Sequence, residues 1–155
     1  MGSCRVEKCR AAELFDDVES AVLMAEYAEE SAIALLGKLS PSREWYEQLE
    51  YSGYAQCFAV RDGSVLVGFA CLLHAVVPHY GLNYANTESI FVRRSARSDG
   101  AGTDLMHALE EYAQDVLGCK GLFYSAPVGS RMARMLGLKG QRYTRTSEVF
   151  CRVLA

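Results

Sequence analysis

The stretch whose residue types and spacing could do chemistry is Arg97-Ser98-Asp99-Gly100-Ala101-Gly102, and that chemistry is anion binding. An apolar run, Ile90-Phe91-Val92, precedes it and reads as a buried strand. Leu105, Leu109, Tyr112, Ala113 and Val116 follow at helical spacing, and Gly118 stands where a left-handed helix cap is expected. The first N–H groups of a helix have no partner within it and lie at the positive end of its dipole. Glycines at 100 and 102 would let a phosphate approach that backbone, and Arg97 could add a charge-assisted bond. Two glycines ahead of a helix are more often just a tight turn. No Gly-Lys-Ser/Thr is present, which excludes a P-loop, and no third glycine completes a dinucleotide fingerprint.

In its strand–turn–helix context the stretch resembles motif A of the GNAT family of N-acetyltransferases, whose pattern is R/Q-x-x-G-x-G/A. The resemblance implies acetyl-CoA as co-substrate, with its pyrophosphate held by Arg97, Ser98, Asp99, Gly100, Ala101, Gly102 and Thr103. It places the strand end, Phe91, Val92 and Arg93, beside the pantetheine arm. The run Tyr124-Ser125-Ala126-Pro127-Val128-Gly129-Ser130-Arg131, followed by Arg142-Tyr143-Thr144, resembles small members of the family found in tailed bacteriophages.

Acetyl transfer to an amine needs a base for the amine, a donor for the carbonyl oxygen and a proton or its equivalent for the departing thiolate. Alignment of the reactants supplies much of the rate. Members of the family often place a glutamate on the motif-A strand, and Glu88 is the expected base here. Alternation predicts that it shares a face with Ile90 and Val92. A rim carboxylate in an ion pair is the plain alternative. The family's acid is often a tyrosine after the fifth strand, in a pattern like N-x-x-A-x-x-L-Y. The matching run is Ser130 to Gly137, with serine for the asparagine and glycine for the tyrosine. Tyr143 or Tyr124 could substitute as the acid, and a buried structural role is the plain reading of both. Ser130 is expected either at the cofactor or as a helix cap. His74 reads as a satisfied core histidine, His79-Tyr80 first as an ordinary surface loop and second as a lining of an acceptor site, and His107 as solvated. Trp45, Tyr46 and Tyr51 read first as core packing and second as walls of an acceptor pocket.

The positioning elements must fit within 155 residues, which is most simply one domain spanning 1–155. Half the residues are hydrophobic and 23% are charged, as in ordinary globular proteins. No apolar run is long enough for a membrane span, and the first ten residues lack a signal-peptide core. Six scattered cysteines form no C-x-x-C pair and read as reduced core thiols, which points to a cytoplasmic setting. Net charge is -3, with acids concentrated in the first fifty residues and bases after Lys120. The overall sign disfavours nucleic acid, while the basic end suits a phosphate-bearing cofactor or a solvated face.

Periodicity predicts a strand over 3–10 and a helix over 11–30 with a stripe of Leu14, Val18, Ala21, Val22 and Ala25. A second helix begins at Ser40-Pro41-Ser42. Strands are expected at 56–61 and 65–77 around an Asp62-Gly63 hairpin, then at 84–93. The motif-A helix, a strand over 121–125, a helix over 130–138 with Met132, Met135 and Leu136 inward, a turn at Gly140 and a last strand over 141–154 complete the order βααβββαβαβ. The implied fold class is α/β, a mixed sheet with helices on both faces. In the family the strands flanking motif A splay apart, and acetyl-CoA lies in the gap like an added strand. The expected activity is transfer of acetyl from acetyl-CoA to a small-molecule or protein amine, with a homodimer left open. The alternative is a CoA-binding protein of the same fold with little turnover.

Overall fold

A computed structural model describes residues 3–138 and 142–154. Five strands form one sheet in sequence order: β1 (Arg5–Cys9), β2 (Ala55–Asp62), β3 (Val65–Val77), β4 (Leu82–Val92) and β5 (Gly121–Phe123). The first four are antiparallel, and β5 runs parallel to β4, which makes the sheet mixed. Helices α1 (Ala11–Asp16), α2 (Ser20–Ser31) and α3 (Arg43–Tyr51) precede β2, α4 (Ala101–Glu111) joins β4 to β5, and α5 (Arg131–Leu136) follows β5. No helix among the described residues is long and apolar enough to cross a membrane.

The expected apolar strand over 65–77 forms, buried from Leu66 to Leu72 and covered on both faces. Phe58, Val60, Ala70, Leu72 and Val92 meet Leu105 and Leu109 of α4 on one side. Cys57, Ala59, Phe69, Cys71 and Phe91 meet Ala11 and Leu23 on the other. Fully burying side chains of this kind contributes roughly 1.5–3 kcal/mol each, which fixes α4 to the strands that bracket it. Cys9, Cys57, Cys71 and Cys119 are buried, and the six cysteines are unpaired.

Gly68 shows how closely β3 and β4 are pressed together below the motif-A turn. A Cβ there would lie 2.7 Å from the Phe91 carbonyl oxygen and 3.1 Å from Val92 Cα, both backbone atoms that cannot swing aside. Gly68→Ala is expected to destabilise the protein by about 2 kcal/mol, read as a shift of the urea midpoint at unchanged slope.

Several expectations need correction. The helix over 11–30 is two helices, broken at Asp17-Val18-Glu19. The break resets the helical phase, so Val18 and Val22 are exposed and Leu23 and Met24 face inward. A π turn at Tyr112–Val116 does the same to the end of α4, leaving Val116 exposed. Gly118 then adopts the expected left-handed conformation at φ 65°. Met135 points outward, and Trp45 and Tyr51 are exposed, so only Tyr46 of that trio packs inward. His74 is not satisfied, because its buried Nε2 has no partner.

The last strand is absent from residues 142–154. Their start is captured elsewhere, by Arg142 and Tyr143 bonding Glu110 of α4. The free edge of β5 is only three residues long, a poor template for a ladder. The turn expected at Gly140 lies outside the described residues.

Candidate functional site

The site is built where β4 and β5 part. Their pairing runs from Tyr84↔Gly121 to Asn86↔Phe123 and goes no further, although β4 continues to Val92. At the fork the Ser125 N–H donates to the buried Thr87 Oγ1 at 3.1 Å, a side chain standing in for the next ladder acceptor. Beyond it the β5-side edge of β4 has no strand partner among the described residues.

Glu88 sits in the β-bulge at this fork. Cys71 pairs with Ser89 and Leu72 with Thr87, so Glu88 is an extra residue in β4. The bulge breaks alternation, which corrects the expected face. Ile90 and Val92 pack toward α4, whereas Glu88 turns toward α3 and accepts a 2.8 Å hydrogen bond from the Tyr46 hydroxyl. Burial, then the charge and hydrogen bond of Glu88, push the Tyr46 phenol well above its usual range, so it remains a donor. Met24, Tyr27, Pro41, Tyr46 and Phe69 wall a cavity of about 170 Å³ into which Glu88 projects. Glu88 is exposed and Ser89 beside it is buried.

The motif-A turn is a 3-10 turn, Arg94–Asp99, followed by Gly100 at φ 83° and ψ 2°, a left-handed conformation that glycine adopts without strain. Gly100 is the N-cap of α4, so the N–H groups of Ala101, Gly102 and Thr103 open the helix. Gly102 has no positive φ, and a Cβ on it would meet no atom within 4 Å. Neither backbone conformation nor packing against the protein requires a glycine there. Glycine at such a helix position is unfavourable by about 1 kcal/mol relative to alanine. The space it leaves open lies over the start of the helix.

Arg97 braces this turn. Its Nε donates to the Val92 carbonyl and one terminal nitrogen to Glu30, both at 2.7 Å. Its other terminal nitrogen, Nη1, is buried without a partner. Arg93 reaches Glu19 and Glu26 at 3.2 Å. Three carboxylates of the α1–α2 region therefore clamp the two arginines that flank the loop. By sequence these acids stand only as part of the acidic first fifty residues. The available signal was their spacing, since 19, 26 and 30 recur on one helical side, opposite two arginines with no assigned partner. Arg94 is also at the loop, with its side chain largely exposed, and Ser98, Asp99 and Thr103 are exposed.

The Arg97 hydrogen bond holds the Glu30 carboxyl below its usual range, against an opposing effect of burial. A carboxyl depressed by folding contributes stability above its ordinary range, and this is lost as pH falls through the folded value. Glu30→Gln is expected to cost about 1 kcal/mol at pH 7, roughly 3 °C in Tm. The difference between the two proteins should shrink as the pH of the melt falls below the ordinary carboxyl range.

Phe91 and Val92 are buried, with the Phe91 ring edge-on to Tyr27 at 5.8 Å, so only their backbone faces the fork. Ser130 caps α5, accepting from the Ala133 N–H at 3.1 Å. Tyr143 donates to Glu110 at 3.2 Å and lies edge-on to Tyr124 at 5.5 Å. Tyr124 donates to the same carboxylate at 2.9 Å, and burial followed by the Glu110 charge pushes its phenol up. Tyr143 thus packs on the α4 side while Glu88 projects on the α3 side, and the two are not brought together. His79 and Tyr80 stack in the exposed β3–β4 loop, at 5.4 Å between centroids. Among the described residues, no group of three or more His, Cys, Asp or Glu is arranged to hold a metal ion.

This geometry fits a CoA thioester. An orphaned arginine nitrogen, an open helix start and an unpaired strand edge all fall within residues 88–103, and Glu88, at the fork end of that edge, lines a cavity.

The family model described as "Acetyltransferase (GNAT) family" matches residues 21–134. No curated relative matches the chain. A ribosomal-protein-alanine N-acetyltransferase from Brucella melitensis biovar Abortus 2308 superposes with a TM-score of 0.71 at 22% identity, over 97% of this chain and 99% of that one. An aminoglycoside acetyltransferase from an uncultured soil metagenomic sample, in complex with sisomicin, gives 0.73 at 14% identity, over 99% and 96%. A GNAT family acetyltransferase from Staphylococcus aureus gives 0.65 at 13% identity, over 98% and 99%. At these identities the structures establish the shared fold.

Proposed function

Because the chain belongs to the acetyltransferase (GNAT) family, we propose that it transfers acetyl from acetyl-CoA directly to a primary amine, with residues 1–155 acting as one catalytic domain. The observation that carries this reading is the succession, within residues 88–103, of a carboxylate lining a cavity, an unpaired β4 edge and an open helix start. Acetyl-CoA supplies an activated acyl group on a thiol that leaves readily.

The chain's own groups bind, orient and move protons. The N–H groups of Ala101, Gly102 and Thr103 take the pyrophosphate, with the turn of Arg97, Ser98, Asp99 and Gly100 shaping its seat. Arg97 Nη1 adds a donor, and Arg94 adds exposed positive charge. The backbone of Phe91, Val92 and Arg93 offers the pantetheine amides ladder-type partners. Glu88 takes the amine's proton, held in place by Tyr46. The leaving thiolate takes its proton from solvent, because Tyr143 is bonded to Glu110 on the α4 side, away from Glu88, and Ser130 is occupied as the cap of α5. The free, largely buried thiols suit a cytoplasmic protein. The exposed Val149, Phe150 and Leu154 are a surface on which a homodimer could form.

The test pairs a calorimetric titration with acetyl-CoA and a thiol-release assay over a broad amine panel. Micromolar binding with amine-dependent release is expected. Binding without release over the whole panel would instead mark a CoA-binding protein, the reading favoured by Gly137 in place of the family's tyrosine.

A further inference from the structure

We propose that the acceptor is a primary amine with an apolar or aromatic body, held in a second cavity behind Glu88. This rests on the reading of Glu88 as the base.

The cavity has a volume of about 310 Å³ and lies between α1, α2 and the sheet. Leu14 and Phe15 form its roof, Met24 one wall, and Cys57, Phe69 and Cys71 its floor. No charged side chain lines it. The cysteines are free and behave there as small apolar groups. Met24, Pro41, Tyr46, Phe69 and Ser89 also wall the smaller cavity that holds Glu88, so the two spaces adjoin across shared side chains. An amine placed at Glu88 therefore has apolar space behind it, of a size near the lower end of ligand pockets, about 300 Å³. One aromatic ring or a branched alkyl chain fits that volume.

Two other occupants suit it less. A polycationic sugar would bring several ammonium groups to a lining whose one carboxylate is Glu88, and would leave the rest desolvated and unpaired. A long acyl chain on the thioester would have to pass the Glu88 carboxylate and bury it without a counter-charge, whereas an ammonium pairs with it.

The experiment measures kcat/KM for phenethylamine, ethanolamine and sisomicin with acetyl-CoA, then for phenethylamine with acetyl-CoA and octanoyl-CoA. Phenethylamine should exceed ethanolamine by roughly 100-fold, since burying one aromatic side chain is worth about 10- to 150-fold. Cys71→Leu fills the cavity from the floor and Leu14→Phe from the roof. Either should cut the phenethylamine-to-ethanolamine ratio by about tenfold, with acetyl-CoA titration reporting that the variant is folded. Phenethyltrimethylammonium, which cannot react, should inhibit the wild-type protein competitively against phenethylamine, and this readout needs no variant. Turnover with no preference for phenethylamine, or with sisomicin favoured, overturns the inference and leaves acetyl transfer standing. A preference for octanoyl-CoA that Cys71→Leu removes overturns it in favour of an acyl pocket. Failure to bind acetyl-CoA overturns the underlying function, and the inference with it.

Discussion

Gly102→Leu is expected to weaken acetyl-CoA binding by about 100-fold while leaving the protein folded and at least as stable. The two halves of this expectation have separate causes. A leucine at 102 meets no protein atom at its Cβ, and leucine is a better helix former than glycine by roughly 0.8 kcal/mol. Packing thus gives no reason for a lower Tm. The branched side chain would instead stand over the N–H groups that open α4. Hydrogen bonds to a charged group contribute about 1.5–3 kcal/mol each, so losing one or two costs roughly 3 kcal/mol, or a hundredfold in Kd. Calorimetric titration and a thermal melt on the same sample separate the effects. An unchanged Kd with an unchanged melt would place the cofactor's phosphates somewhere other than this turn.

Glu88→Gln should lower kcat/KM by about 10²- to 10⁴-fold near neutral pH, the range for loss of a general base. Glutamine keeps an oxygen for the Tyr46 hydroxyl, so the bulge and the cavity wall should persist. What it cannot do is accept a proton from an ammonium. The deficit should shrink as pH rises, because free amine is then supplied by solvent. A rate deficit constant from neutral to alkaline pH would assign Glu88 to amine binding rather than proton removal. Unchanged turnover at every pH would remove it from the mechanism.

Much of the scaffold was legible because the relevant signals are local. The apolar run 65–77, the Ser42 cap on α3 and the left-handed Gly118 each follow from a few adjacent residues. Motif A was legible for the same reason, as a strand, a glycine turn and a helix in one short stretch. The errors arose where one inserted residue shifts a phase. The bulge at Glu88 moved the carboxylate to the α3 side, and the π turn and the α1–α2 break moved Val116 and Val22 outward. Periodicity assumes an unbroken element and cannot register such a step. Long-range pairs were the other blind spot. Arg97 with Glu30 spans 67 positions, and Glu88 with Tyr46 spans 42, so their partners appear only once the chain is folded. The last strand failed for a related reason: its alternation is real, but three residues of β5 edge offer it no template.

The most direct measurement is a crystal structure of the protein with CoA. The account predicts diphosphate oxygens about 3 Å from the N–H groups of Ala101 to Thr103, and pantetheine amides bonded to the open edge of β4 beyond Thr87. A diphosphate seated away from the start of α4, with that turn vacant or closed by Arg97, would contradict it.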